Sequence, residues 1–267
     1  MINFPFAGIS MNISPIAFEA GGVSVRWYGI IIAVAIISGG ALALFRARAE
    51  GMNGDTVVDA LIWMVIAALV GARAYFVLFN LNGYTSFVDV FKVWEGGLAI
   101  YGAIIGGATA LLIFCRVKKL NFWQFADVCA PAVLLGQAIG RWGNFANREA
   151  YGIPTNSWIR MEIIDANGNL ASVHPTFLYE CVWNLLGIAL LYVLNRFGKL
   201  RRGETFLTYI AWYGLGRFFI EPLRADSLPY GADFKISQIV ALITLIAAVV
   251  MFAVNRRHRI FEKSGKK

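Results

Sequence analysis

Along the 267 residues, long apolar runs alternate with short polar breaks. Runs of roughly 18 or more apolar residues can cross a hydrocarbon core of about 30 Å as helices. Seven such runs lie near residues 27 to 45, 57 to 79, 97 to 115, 122 to 140, 175 to 195, 205 to 220 and 236 to 254. They predict seven transmembrane helices in a single polytopic domain covering 1 to 267, since no linker or low-complexity block interrupts them. One interval departs from this period. Within residues 146 to 173, the alternating run Ile159 to Ile164 leads into Asp165-Ala166-Asn167-Gly168-Asn169, a period of two followed by a turn cluster, which predicts a small β-hairpin head between spans four and five. The opening segment carries Pro5 and Pro15 and no basic stretch, so an ordered or interfacial segment is expected there rather than a cleavable signal peptide.

Composition fits that pattern. Hydrophobic residues make up 58% and charged residues 15%, and the mean hydropathy is +0.63, so the expected class is an all-α integral membrane protein. A net charge of +8 raises the question of nucleic acid, which the placement of the charges answers. Arg46 and Arg48, Arg116, Lys118 and Lys119, Arg196, Lys199, Arg201 and Arg202, and the basic tail from Arg256 onward all fall on one side of a seven-span chain. The positive-inside rule then sets the N-terminus outside, the C-terminus in the cytoplasm and the hairpin head outside the cytoplasm. The tail reads as an orientation signal touching anionic membrane lipid, with no nucleic-acid partner. Cys115, Cys129 and Cys181 lie in or at the ends of apolar spans without metal-ligand spacing, and are expected to be buried free thiols. No metal and no cofactor is implied.

The informative residues are the charges inside the spans. Asp59 and Arg73 share the second span but lie about 21 Å apart along its axis, so they cannot pair. With the orientation above, Tyr28, Arg73, Tyr101, Arg141, Asn144, Glu149, His174, Arg217 and Glu221 fall at one depth, near the outer interface. An intramembrane charge is costly and normally faces protein or water. Such arginines can also snorkel to lipid phosphates or pair with carboxylates only to hold helices together. Several at one depth instead point to a site for an anionic headgroup, because a guanidinium keeps its charge and grips phosphate in a two-pronged manner. In the third span, Gly106 and Gly107 read as helix-packing positions, while Gly96, Gly97 and Gly102 beside Tyr101 are candidates for making room for a lipid.

At this point a family resemblance enters. The stretch GRWGNFANREAYG, 140 to 152, closely resembles the signature of the bacterial prolipoprotein diacylglyceryl transferases. RWYG at 26 to 29, GARAYFVLF at 71 to 79, WEGGLAIYGAIIGG at 94 to 107, HPTFLYE at 174 to 180 and GRFFIEPLR at 216 to 224 resemble it too, in the same order. The resemblance implies an enzyme of the bacterial cell membrane, working at the outer leaflet, that moves the diacylglyceryl group of phosphatidylglycerol onto the lipobox cysteine of a prolipoprotein signal peptide. It implies phosphate-engaging roles for Arg141 and Arg217, and functional positions at Tyr28, Asn144, Glu149, Gly152 and Glu221. Arg73, Glu180 and Arg224 enter as further candidates, and His174 and Tyr179 as braces of the fifth helix. Where several members carry a histidine in the third span, sometimes regarded as the base, this chain has Tyr101. A phenol, titrating at about 10 in water, donates a hydrogen bond more readily than it takes a proton at neutral pH.

The chemistry is a displacement by thiolate, which requires loss of the cysteine proton and stabilisation of the departing phosphate. Guanidinium groups serve both ends. Glu149 and Glu221 either orient them or accept the thiol proton, and Asn144 either hydrogen-bonds the headgroup or ties down the turn after the fourth span. Two rivals stay open on sequence alone: a transporter or flippase for an anionic lipid or solute, and a scaffold locked together by its charges.

Overall fold

The computed structural model describes residues 2–21, 23–84, 86–93, 96–164, 169–198, 200–225, 229–230 and 234–263. Most of the chain is helical: α1 (Trp27–Ala49), α2 (Gly54–Phe79), α3 (Ile100–Val117), α4 (Phe122–Ala146), α5 (Thr176–Arg196), α6 (Glu204–Ile220), α7 (Ile236–His258) and the short α8 (Ile260–Lys263). Six of them, α1 to α5 and α7, are long and apolar enough to cross a membrane. The remaining expected span, 205 to 220, is α6, whose 17 residues sit at the short end of what a bilayer core requires. Strands β1 (Ile2–Phe4), β2 (Ile9–Met11), β3 (Ile16–Ala20) and β4 (Val23–Arg26) precede α1. Further along come β5 (Met161–Ile164), β6 (Leu170–Val173), β7 (Pro229–Tyr230) and β8 (Phe234–Lys235).

Two compact units emerge, one made of the described residues up to Leu42 with Asp127–Lys263, the other of Ala43–Ala126. In the second unit α2 begins on Asn53, whose side chain accepts from the Asp55 and Thr56 amides, a standard N-cap. Helices α2 and α3 then approach through small residues. A Cβ built on Gly102 would lie 2.2 Å from the Gly71 carbonyl oxygen, and one on Gly106 would lie 2.2 Å from that of Ala67. The space at Gly102 is therefore taken by α2 rather than left for a lipid, and Gly106 packs in the same seam. Gly107 makes only ordinary contacts, at 3.7 Å.

The first unit holds the sheet β2-β1-β5-β6, all pairs antiparallel. Thus the N-terminal segment adds two strands to β5 and β6, a long-range pairing that the local alternation could not announce. The expected turn at 165 to 169 lies mostly outside the described residues. A core of Ile2, Phe4, Phe145, Met161, Ile163, Val173 and Phe177 joins this sheet to the end of α4 and the start of α5, with the Phe145 and Phe177 rings stacked at 4.6 Å. Helices α5 and α6 are joined by Trp183 and Trp212. Their rings stack at 4.3 Å, and each Nε1 donates to the other's carbonyl, at 3.0 and 2.9 Å. Gly187 and Gly216 leave the space for this pair.

The charges at the far end of α6 are also structural. Asp127 accepts from the Gly203 and Phe206 amides, satisfying donors that the first turn of a helix leaves unpaired. Fully buried Glu204 pairs with Arg256 at 2.8 Å and accepts from Asn255 at 3.1 Å. These amides lie 76 and 79 residues from Asp127 along the chain, so nothing local to α4 announces them.

Candidate functional site

Three helical elements of the first unit bring arginines to one carboxylate. Arg141 lies on α4, which runs through Ala146 and so extends past the expected end of the span. Arg217 lies in the last turn of α6, and Arg224 follows the 3-10 turn Glu221–Leu223 that ends this helix. All three meet at Glu180 on α5. Its Oε2 pairs with Arg141 Nη2, while its Oε1 lies 3.4 Å from Arg217 Nη1 and 2.9 Å from Arg224 Nη1. The Glu180 side chain is 9% exposed and that of Arg217 22%, so the carboxylate is sealed while a guanidinium edge stays accessible. Water screens such a pair far less than one at a protein surface.

A second carboxylate completes the cluster. Glu221, 2% exposed, pairs through Oε2 with Arg217 Nε at 2.8 Å and accepts from the Ser237 hydroxyl. Lys235 Nζ donates to the carbonyl oxygens of Glu221 at 2.9 Å, Pro222 at 3.4 Å and Arg224 at 2.6 Å. In doing so it absorbs acceptors freed by the end of α6, and it stands where cations favour a helix C-terminus. Neither Lys235 nor Ser237 is singled out by the sequence.

On the other flank, Arg141 Nη1 donates to Asn144 Oδ1 at 3.4 Å, and Asn144 Nδ2 donates to Glu149 Oε1 at 2.9 Å. The backbone folds tightly here. Arg148 and Ala150 both adopt positive φ, at 55°, a conformation costly for residues with a Cβ and characteristic of functional loops. The bend is held by Arg148 Nη2 on the Ile13 carbonyl at 2.7 Å and by Thr176 Oγ1 on that of Ala150 at 2.6 Å. The Tyr28 ring lies against Gly143, and its hydroxyl is within electrostatic reach of Glu149 and Arg141. His174 Nδ1 and the Tyr179 hydroxyl are 3.1 Å apart, a link between the approach to α5 and its first turn.

Gly152 works by having no side chain. A Cβ there would fall 2.5 Å from His174 Cβ and 2.7 Å from the Leu223 carbonyl oxygen. Its amide donates to the His174 carbonyl at 2.9 Å, and Ile153 donates to that of Leu223 at 2.8 Å. The glycine therefore clamps the segment before α5 to the segment carrying Arg224.

Arg73 and Tyr101 belong to the other unit. Each hydrogen bond of the Arg73 guanidinium goes to backbone: Nε to Val90 at 2.7 Å, Nη2 to Asp89 at 2.7 Å, and Nη1 to Gly96 and Gly97 at 2.8 and 3.1 Å. The same group lies 5.4 Å from the centroid of the Tyr84 ring. Tyr101 is 53% exposed, with its ring 6.4 Å from that of Tyr75.

Comparison with known proteins gives this geometry a chemical setting. The family model described as prolipoprotein diacylglyceryl transferase matches residues 15–254. The chain is 43% identical over 256 residues to the phosphatidylglycerol--prolipoprotein diacylglyceryl transferase of Listeria monocytogenes serotype 4a, covering 91% of this chain and 90% of the relative. It is 44% identical over 267 residues to the enzyme of the same name from Trichormus variabilis, covering 95% and 94%. Its identity to the one from Acaryochloris marina is 48% over 236 residues, covering 86% of each.

Proposed function

The chain belongs to the prolipoprotein diacylglyceryl transferase family, and from that premise we propose how its own residues carry the transfer. It is a transferase that moves a diacylglyceryl group from phosphatidylglycerol to a prolipoprotein. The acceptor is the thiol of the lipobox cysteine. Its sulfur attacks the glyceryl carbon bearing the phosphodiester, the carbon–oxygen bond breaks, a thioether forms and glycerol phosphate departs with the electron pair. The thiol proton passes to a base or to the departing phosphate.

The observation that carries this reading is the meeting of Arg141, Arg217 and Arg224 at Glu180. Charge aimed beforehand at the place where negative charge grows lowers the barrier without reorganisation at the moment of reaction. Arg141 and Arg217 engage the phosphate, and their field favours thiolate over thiol in the incoming cysteine. Asn144, oriented by Glu149, hydrogen-bonds the headgroup; Glu221 fixes the plane of the Arg217 guanidinium. Tyr28 closes the flank beside Gly143, and Gly152 keeps Arg224 in register with α5. Tyr101 serves as a hydrogen-bond donor rather than a base, and Arg73 holds together the carbonyls of Asp89, Val90, Gly96 and Gly97.

The basic residues collected in alternate loops support a seven-span arrangement with the N-terminus outside. The site and the β5–β6 head then face the outer leaflet of the bacterial cell membrane. A transporter is not favoured: of the polar groups toward the inner side, Asp127 and Glu204 are engaged at helix ends.

The test is direct. Purified protein is incubated with phosphatidylglycerol vesicles and a lipobox peptide, and the peptide mass is read. A diacylglyceryl increment on cysteine, lost when that cysteine is replaced by serine, is the expected result; no increment with intact folded protein contradicts the reading.

A further inference from the structure

Glu180 is the only described carboxylate drawn on by three guanidiniums, one from α4 and two from the end of α6 and the turn that follows it. A carboxylate so placed does what a bound phosphate would do, holding arginines in a converging fork while the site waits. It also subtracts from the charge that the arginines offer a ligand. The Glu180 carboxylate lowers by one unit the positive charge that Arg141, Arg217 and Arg224 present together.

That reduction is pertinent to the reaction proposed above, on which this inference rests. The phosphodiester of phosphatidylglycerol carries one negative charge. The released glycerol phosphate is a monoester, whose second ionisation near 6 makes it largely a dianion at neutral pH. An uncompensated trio of arginines would hold the product more tightly than the substrate and stall turnover.

We propose that Glu180 is a positioning residue that acts as the resident counter-ion of the site, gathering the three arginines and setting their net charge to favour a singly charged phosphodiester over a doubly charged phosphate monoester. Product release follows from this charge match, and the acyl chains of the substrate are not needed for the discrimination.

The experiment uses full-length protein and water-soluble ligands. Wild type is assayed for transfer in the presence of glycerophosphoglycerol, the diester lacking acyl chains, or of glycerol 1-phosphate, with inorganic phosphate alongside. Binding is read separately as the rise in unfolding temperature, so that loss of anion discrimination and loss of transferase activity are distinguished. Wild type should be inhibited at lower concentration by the diester than by the monoester. In Glu180→Gln, which keeps the shape and removes the charge, the order should reverse. Glycerol 1-phosphate should then inhibit at about tenfold lower concentration than in wild type, as expected for deleting one nearby charge in a poorly screened site. The drop should appear in kcat more than in KM, and Glu180→Asp should restore the wild-type order. A merely structural role lowers unfolding temperature without reversing ligand preference, and that result overturns the proposal. If Glu180→Gln does not fold, the wild-type comparison decides alone: a preference for the monoester contradicts it.

Discussion

At the residue scale, the fate of each arginine divides those that hold loops from those that converge on carboxylates. Sequence gives the depth of Arg73, Arg141 and Arg217 by counting along apolar spans, and all three look alike by that measure. Side-chain partners separate them. Arg73 is 9% exposed and its guanidinium is filled by four carbonyls between 89 and 97, whereas Arg141 and Arg217 engage carboxylates and neighbouring side chains. Replacing Arg73 by Ala should therefore lower stability, by roughly 2–4 kcal/mol for a buried charged donor removed from several acceptors. Thermal unfolding in detergent measures this. KM for phosphatidylglycerol in the fraction that remains folded should change little, and a large rise in KM at unchanged stability would instead make Arg73 a lipid ligand. Glu180 enters the sequence reading only through the family resemblance, and not as a centre, because its partners lie 39, 37 and 44 residues away along the chain.

At the scale of elements, the apolar period located the helices well. The ends of α2 and α4 were extended by residues too polar or too small to count as apolar, such as Gly54, Asp55 and Asn144. The sheet was less legible. Alternation marks Met161 to Ile164, but nothing local reveals that Ile2 pairs with Ile163. Helix-end chemistry was similarly hidden, since Asp127 and Lys235 find their partners only once α6 has docked. Gly152 shows what an element junction demands. In Gly152→Ala the added methyl meets His174 and Leu223 at less than normal contact distance, so the clamp must open and Arg224 must shift relative to Glu180. Transfer should fall by at least about 10²-fold, since misplacement of about 1 Å has that effect on an oriented site. Assaying membranes with matched amounts of the protein tests this. Near-normal transfer would mean that the clamp does not control the arginines.

At the scale of the whole molecule, composition and charge distribution identify a membrane protein, and the six long apolar helices agree. The seventh element is a 17-residue helix whose faces carry buried Glu204, Thr205 and Tyr209 as well as apolar residues. It is stabilised as much by α5 and α7 as by hydropathy: the Trp183–Trp212 pair lies on one side and Gly214 against Ala241 on the other. A short, well-packed helix of this kind suits a site, because its last turn presents Arg217 from a rigid support.

The most direct test of the account is the rate of diacylglyceryl transfer to a lipobox peptide by Arg141→Ala and Arg217→Ala, each compared with wild type at equal folded concentration. Losing one preorganised charge contact should lower the rate about 10²- to 10³-fold, with thermal unfolding showing that the protein remains folded. Either variant transferring at the wild-type rate would contradict the claim that these guanidiniums stabilise the departing phosphate.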